Sequence, residues 1–101
     1  MESKYKNKKT QIDMYVFDSA KEAKRYRELK LLEMAGEISD LELQPRFLLQ
    51  ESFRKNGKAY RKIEYVADFK YIENGKTIVE DVKGLQTDVF KIKHKLFEKK
   101  Y

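Results

Sequence analysis

The sequence predicts an α/β fold in the order β-α-βββ-α, with a meander of antiparallel strands between two helices. Three observations carry the prediction. Apolar and polar residues alternate at strand spacing in several short runs. One long segment has helix start and stop signals at its two ends. Two Asn-Gly pairs stand where hairpin turns are needed. The 101 residues suffice for one domain, and 41% hydrophobic against 40% charged residues requires a compact core beneath a very polar surface.

Residues 1–9 carry four lysines without periodicity and read as a flexible basic arm, either a solubilising tail or a segment that touches a polyanion. They lack the apolar stretch of a signal peptide. Residues 10–101 form the single domain. Ile12, Met14 and Val16 alternate with polar residues, which predicts a strand over 11–17. Ser19 followed by Glu22 gives the S-x-x-E capping pattern, and Gly36 supplies a stop, so a helix is expected over 19–35. Residues 37–45 read as an irregular connection ending at Pro45. A strand from Arg46 to Phe53, the Asn56-Gly57 turn and a long strand from about Tyr60 to Ile72 follow. Asn74-Gly75 then turns the chain into a strand over Thr77–Lys83, which Gly84 breaks. Thr87 or Asp88 caps a last helix over 88–100, whose apolar stripe is Val89, Ile92, Leu96 and Phe97, with Lys93 inside that arc and His94 at its edge.

Composition excludes several chemistries. There is no cysteine, hence no disulfide framework, zinc finger or thiol catalysis, and a lone histidine rules out multi-histidine zinc sites. No apolar run approaches the ~20 residues of a membrane span. A net charge of +6 and a pI near 9.4 favour a polyanionic partner, nucleic acid first.

The candidate chemistry lies on the last hairpin. Asp is depleted in strands, yet Asp68 interrupts Tyr65-Val66-Ala67-Asp68-Phe69 and Asp81 sits within Ile78-Val79-Glu80-Asp81-Val82-Lys83. Counting outward from Asn74-Gly75 makes Asp68 and Asp81 neighbours, and strand parity puts Asp81 and Lys83 on one face with Glu80 on the other. Paired carboxylates repel unless a cation lies between them or one takes a proton. A hard cation such as Mg²⁺ takes one or two carboxylates with waters and a phosphate, and Lys83 could then steady phosphate charge or orient the attacking water. The rival reading is a surface salt-bridge ladder in which Lys83 neutralises both acids.

Val66-Ala67-Asp68-Phe69 followed by Val79-Glu80-Asp81-Val82-Lys83-Gly84 resembles the PD-(D/E)XK nuclease superfamily. The run FDSAKEAKRYRELKLLEMAGEISDLELQPRF with KIEYVADFKYIENGKTIVEDVKG resembles a family of small, phage-encoded proteins placed in it. That resemblance implies a restriction-endonuclease-like core, a central mixed sheet flanked by helices. The superfamily's usual fourth strand would follow the last helix, where this sequence stops at Tyr101; either that strand is missing, the protein is trimmed, or residues 11–17 or a partner chain compensate. It further implies a Mg²⁺-dependent DNA endonuclease, with Mn²⁺ as a substitute and Holliday-junction resolvases among its relatives. Asp68 and Asp81 would bind metal with the Val82 carbonyl, and Lys83 would be the motif lysine. Glu22 would complete the site from the first helix, or it serves only the helix cap. Lys93 would contact the scissile phosphate, or it merely reaches past the apolar stripe to solvent. Tyr60, Tyr65 and Tyr71 interleave with Arg54, Lys58, Arg61, Lys62 and Lys70. Arg61, Lys62 and Lys70 would bind DNA, whereas the tyrosines read equally as core. Cutting both strands symmetrically calls for a homodimer, and a phage-encoded enzyme would work in the host cytoplasm. The rivals are a non-catalytic DNA-binding module and a structural or inhibitory protein whose partner is another protein.

Overall fold

A computed structural model describes residues 10–12, 15–17, 19–82 and 86–101. Among these residues nine short strands and two helices follow in chain order: β1 (Thr10–Ile12), β2 (Tyr15–Phe17), α1 (Ala20–Met34), β3 (Ser39–Leu43), β4 (Arg46–Gln50), β5 (Phe53–Lys55), β6 (Lys58–Tyr60), β7 (Ile63–Val66), β8 (Phe69–Glu73), β9 (Lys76–Glu80) and α2 (Asp88–Lys100). The α/β class stands. The sheets are small, and every pairing among the described residues is antiparallel: β1-β2, β3-β8-β9, β4-β7 and β5-β6. The parallel pairing of a mixed sheet is not among them. Tight two-residue turns produce antiparallel neighbours, whereas a parallel pair needs a long crossover, and β2 and β3, which flank α1, do not pair with each other.

Both Asn-Gly turns form as expected. Asn56 and Gly57 have φ of 52° and 77°, and Asn74 and Gly75 have 51° and 75°, the doubly positive backbone that suits a right-twisted hairpin. Helix α1 starts on Ser19, whose Oγ accepts the Glu22 N–H at 3.1 Å. It ends with Gly36 at φ 80°, where Gly36 N–H reaches the Glu33 carbonyl and Glu37 N–H reaches the Leu32 carbonyl. Those two bonds satisfy carbonyls the helix end would otherwise leave unmet. Thr87 caps α2 by accepting the Phe90 N–H.

Several expectations change: the strand over 46–53 divides into β4 and β5, the strand over 77–83 is β9 (Lys76–Glu80), and three further elements differ. The strand over 11–17 is two strands, with Thr10 opposite Phe17 and Ile12 opposite Tyr15; Met14 lies outside the described residues. The irregular connection over 37–45 contains β3, which pairs with β8 through a register shift between Ser39 and Glu42, beside Asp40 at φ 54°. That irregularity hides the alternation of Leu41 and Leu43. The long strand over 60–72 is broken twice, after Tyr60 and after Val66.

The second break organises the core. Leu43 faces Phe69, Gln44 N–H bonds the Asp68 carbonyl, Ala67 N–H bonds the Pro45 carbonyl, and Arg46 faces Val66. One antiparallel pairing thus runs unbroken in register from β3-β8 into β4-β7, bent where Pro45 has no N–H and Gln44 takes φ 50°. On one side of the bend α1 packs Ala23, Tyr26 and Leu29 against Phe69 and Tyr71, with Ile78 and Val82 at the edge. On the other, α2 packs Phe97 against Tyr65 and Ala67, with Phe47, Val79 and Phe90 around them. Ile78 and Val79 are successive strand residues that point to opposite faces, so the strand exchanges its buried face at Asp68. Burial of each such large side chain contributes about 1.5–3 kcal/mol.

The packed stripe of α2 also differs from expectation. Val89, Ile92 and Leu96 are exposed, whereas Phe90, His94, Phe97 and Tyr101 line the ring cluster with Phe47 and Tyr65. The aromatic rings outcompete the aliphatics because Tyr65 and Phe47 offer flat partners. His94 is therefore half-buried against Tyr65 and Phe90, not a plain surface residue.

Helix α1 is tied to the sheet by charge. Arg25 grips Glu80 at both carboxylate oxygens, 2.5 and 2.9 Å away, and the Tyr71 hydroxyl donates to the same carboxylate at 2.8 Å. The Arg25 bonds, then the Tyr71 bond, hold Glu80 below the ordinary carboxylate range against the opposing effect of burial. A depressed acid contributes stability above its unfolded pKa that is lost as pH falls through the native one. Glu80→Gln is expected to cost roughly 1–3 kcal/mol at pH 7. Denaturant titrations of both proteins should show the gap narrowing as the pH drops below about 4.3.

Candidate functional site

Asp68 occupies the bend and, with Glu22, is one of two buried acidic residues among those described, each 6% exposed. Its N–H bonds the Glu80 carbonyl at 3.2 Å, its carbonyl receives the Gln44 N–H at 2.9 Å, and its Oδ2 accepts the Val82 N–H at 2.8 Å. The side chain thus bridges to the strand that carries Asp81. Phe69 faces Glu80 at the end of the β8-β9 ladder, so the next positions outward, Asp68 and Asp81, are opposite one another. This is the juxtaposition expected from the hairpin count.

Asp81 takes a hydrogen bond from the Tyr65 hydroxyl at Oδ2, and its Oδ1 is shut off from solvent. Tyr65 is 1% exposed. Burial first, then the bond and the charge of Asp81, and then the charges of Asp68 and Glu98 raise its phenol well above the ordinary range. Tyr65 is thus the hydrogen-bond partner of Asp81, while Asp68 is held by the Val82 amide. Neighbouring Glu80 and Asp81 diverge, Glu80 toward Arg25 on the α1 side and Asp81 toward Tyr65 in the α2 cluster.

Glu22 lies in the first turn of α1, buried on the stripe of Ala23, Tyr26 and Leu29. Its N–H makes the Ser19 cap bond, so the cap is real and the side chain is also turned inward. The Val82 side chain is half-buried at the edge of the α1 cluster. Lys83 lies outside the described residues, as does the basic arm over 1–9. Among the cations, Arg61 is exposed, and Lys62 is 3.6 Å from Glu64. Lys70 is 3.8 Å from Glu42 across β3-β8, and Lys93 is half-buried on α2.

Among the described residues, no three histidine, aspartate or glutamate side chains converge closely enough to cage a metal. The donor chemistry fits Mg²⁺ nonetheless, because that ion takes only one or two carboxylates and fills its other positions with water and phosphate oxygens. Asp68 and Asp81 are such a pair. Sequence reasoning missed Tyr65 as a partner of Asp81 and Arg25 as the partner of Glu80. The contacts span 16 and 55 residues, and neither has a local signal; Tyr65 reads simply as an aromatic strand residue.

A family described as "Protein of unknown function (DUF1064)" matches over residues 2–101, and the chain belongs to it. No curated protein and no solved structure matches significantly. No described helix is long and apolar enough to cross a membrane.

Because the Tyr65 phenol holds its proton more tightly when folded, the unfolded chain loses that proton first as pH climbs past about 10. The stability it contributes is complete below that pH and drains away as the pH rises toward the native value. Tyr65→Phe should cost about 1–2 kcal/mol near neutrality, since Asp81 loses a donor. An alkaline absorbance titration should show the variant lacking one of the late-ionising phenols; an unchanged late component would contradict the placement.

Proposed function

We propose that the chain is a metal-dependent DNA endonuclease with a restriction-endonuclease-like core, and that Asp68 and Asp81 hold Mg²⁺, with Mn²⁺ able to replace it. The observation that carries this reading is the pairing of the two aspartates at the mouth of the β8-β9 hairpin, one of them 6% exposed. Burying a carboxylate is costly without compensation. Two placed at opposite positions of one strand end repel unless compensated, which suits a cation partner. The sequence resemblance to the PD-(D/E)XK superfamily and the net charge of +6 support DNA as the substrate.

The residues then divide the work. Asp68, fixed by the Val82 amide, and Asp81, fixed by the Tyr65 hydroxyl, would hold the ion, and the Val82 carbonyl would be a further ligand. A bound divalent ion supplies charge to a phosphate and lowers the pKa of a coordinated water. Lys83 steadies the scissile phosphate, Lys93 approaches it from α2, and Arg61, Lys62 and Lys70 hold the backbone on either side. Glu22, buried in the first turn of α1, stands outside the pair that would hold the ion. Two cuts in branched DNA would need a homodimer, working in the cytoplasm of a bacterial host.

A second reading, a non-catalytic DNA-binding module, draws on the hydrogen bonds that already engage Asp68 and Asp81 and on the lack of a three-acid cluster among the described residues. One cleavage panel separates the two: four-way junction, flap, duplex and single strand, with Mg²⁺ or Mn²⁺. The nuclease reading expects cutting of at least one DNA and a loss of at least about 100-fold in rate for Asp81→Asn. Cutting as fast by Asp81→Asn sinks it, and binding without any cutting favours the module.

A further inference from the structure

The pairing of β4 with β7 shifts by one residue between Leu48 and Gln50 and then continues outward as β5-β6, so residues 46–66 form one long ribbon. Its outer part stands apart from the rest of the described residues: among them β5 and β6 pack only on each other, and every residue from Gln50 to Lys62 is exposed. An isolated two-stranded hairpin is marginal in water, and this one is stiffened by its own side chains. The Phe53 and Tyr60 rings stack 4.7 Å apart at 7°, Lys58 Nζ lies 5.1 Å from the Tyr60 ring centre, and Arg54 donates to the Gly57 carbonyl at 3.5 Å.

Between Glu51 and Glu64 the charge on this ribbon has one sign. Arg54, Lys55, Lys58, Arg61 and Lys62 carry five positive charges over residues 52–62, with no acid among them. Of these, only Lys62 pairs with a carboxylate among the described residues. Lys55 and Lys58 are direct cross-strand partners, an arrangement that destabilises a ladder on its own and becomes favourable against a polyanion.

We infer that the β5-β6 ribbon inserts into the major groove of duplex DNA, with Arg54, Lys55 and Lys58 gripping the phosphates along its walls. Dimensions favour B-form DNA. Paired strands lie about 4.8 Å apart and three residues span about 10 Å, so the ribbon fits a groove about 12 Å wide and reaches its floor at about 8.5 Å. The deep, narrow major groove of A-form RNA does not admit side chains. The inference rests on the DNA-directed reading above for the identity of the polymer, and not on its metal chemistry.

The test is polarisation of a labelled 30-base-pair duplex with the full chain in EDTA across a salt series, so that no cleavage enters. Arg54→Ala/Lys55→Ala/Lys58→Ala, checked for an unchanged thermal melt, should weaken binding at least about tenfold at low salt. It should also flatten the log–log salt slope by roughly 2 to 3. Removing the same charge from α2, as Lys91→Ala/Lys95→Ala/Lys99→Ala, should change affinity less than about threefold. Lys55→Gln/Lys58→Gln gives a milder check, with a slope change of roughly 1 to 2. Equal losses in the ribbon and helix variants, double-stranded RNA competing as well as DNA, or a parent that does not bind duplex would each overturn the inference. A ribbon effect in a protein that never cuts DNA would leave it standing and remove only the nuclease reading.

Discussion

Pro45 has no N–H for the ladder, Gln44 before it takes a left-handed backbone, and Asp68 lies across from them. At that point an otherwise continuous antiparallel pairing bends and exchanges its buried face. The rest of the architecture depends on this. The two helices bury separate clusters because the strand presents Tyr65 and Ala67 one way and Phe69 and Tyr71 the other. The bend also frees Asp68 from ordinary strand geometry, so its carboxylate can turn and accept the Val82 amide.

Adjacent carboxylates meet different fates across the neighbouring strand. Glu80 is bound by Arg25 and Tyr71 and fastens α1 to the sheet. Asp81, one residue on, meets Tyr65 in the other cluster. One acid serves the fold, and its neighbour is the one proposed to meet the cation. A carboxylate already neutralised by a bidentate guanidinium offers a cation little, whereas a phenol brings no opposing positive charge.

Legibility in the sequence followed the range of the interactions. The helix caps at Ser19 and Thr87, the stop at Gly36 and both Asn-Gly turns depend on neighbours within a few residues, and they were readable. Strand β3 was not, since the irregularity at Asp40 disrupts its period. The stripe of α2 was misjudged because aliphatic spacing favours Val89, Ile92 and Leu96, while the docking surface is a set of rings that selects Phe90, His94 and Phe97. At the site, the approach of Asp68 to Asp81 followed from counting residues around a turn. The Tyr65 and Arg25 contacts need the bend and the helix placement, and no local pattern announces either.

The central claim is that Asp68 and Asp81 together hold a divalent cation. The most direct measurement is anomalous diffraction from crystals of the full chain grown with Mn²⁺. The account predicts a Mn²⁺ peak bound by both carboxylates, lost in Asp68→Asn/Asp81→Asn. Density elsewhere, or none at these aspartates at saturating Mn²⁺, would contradict it.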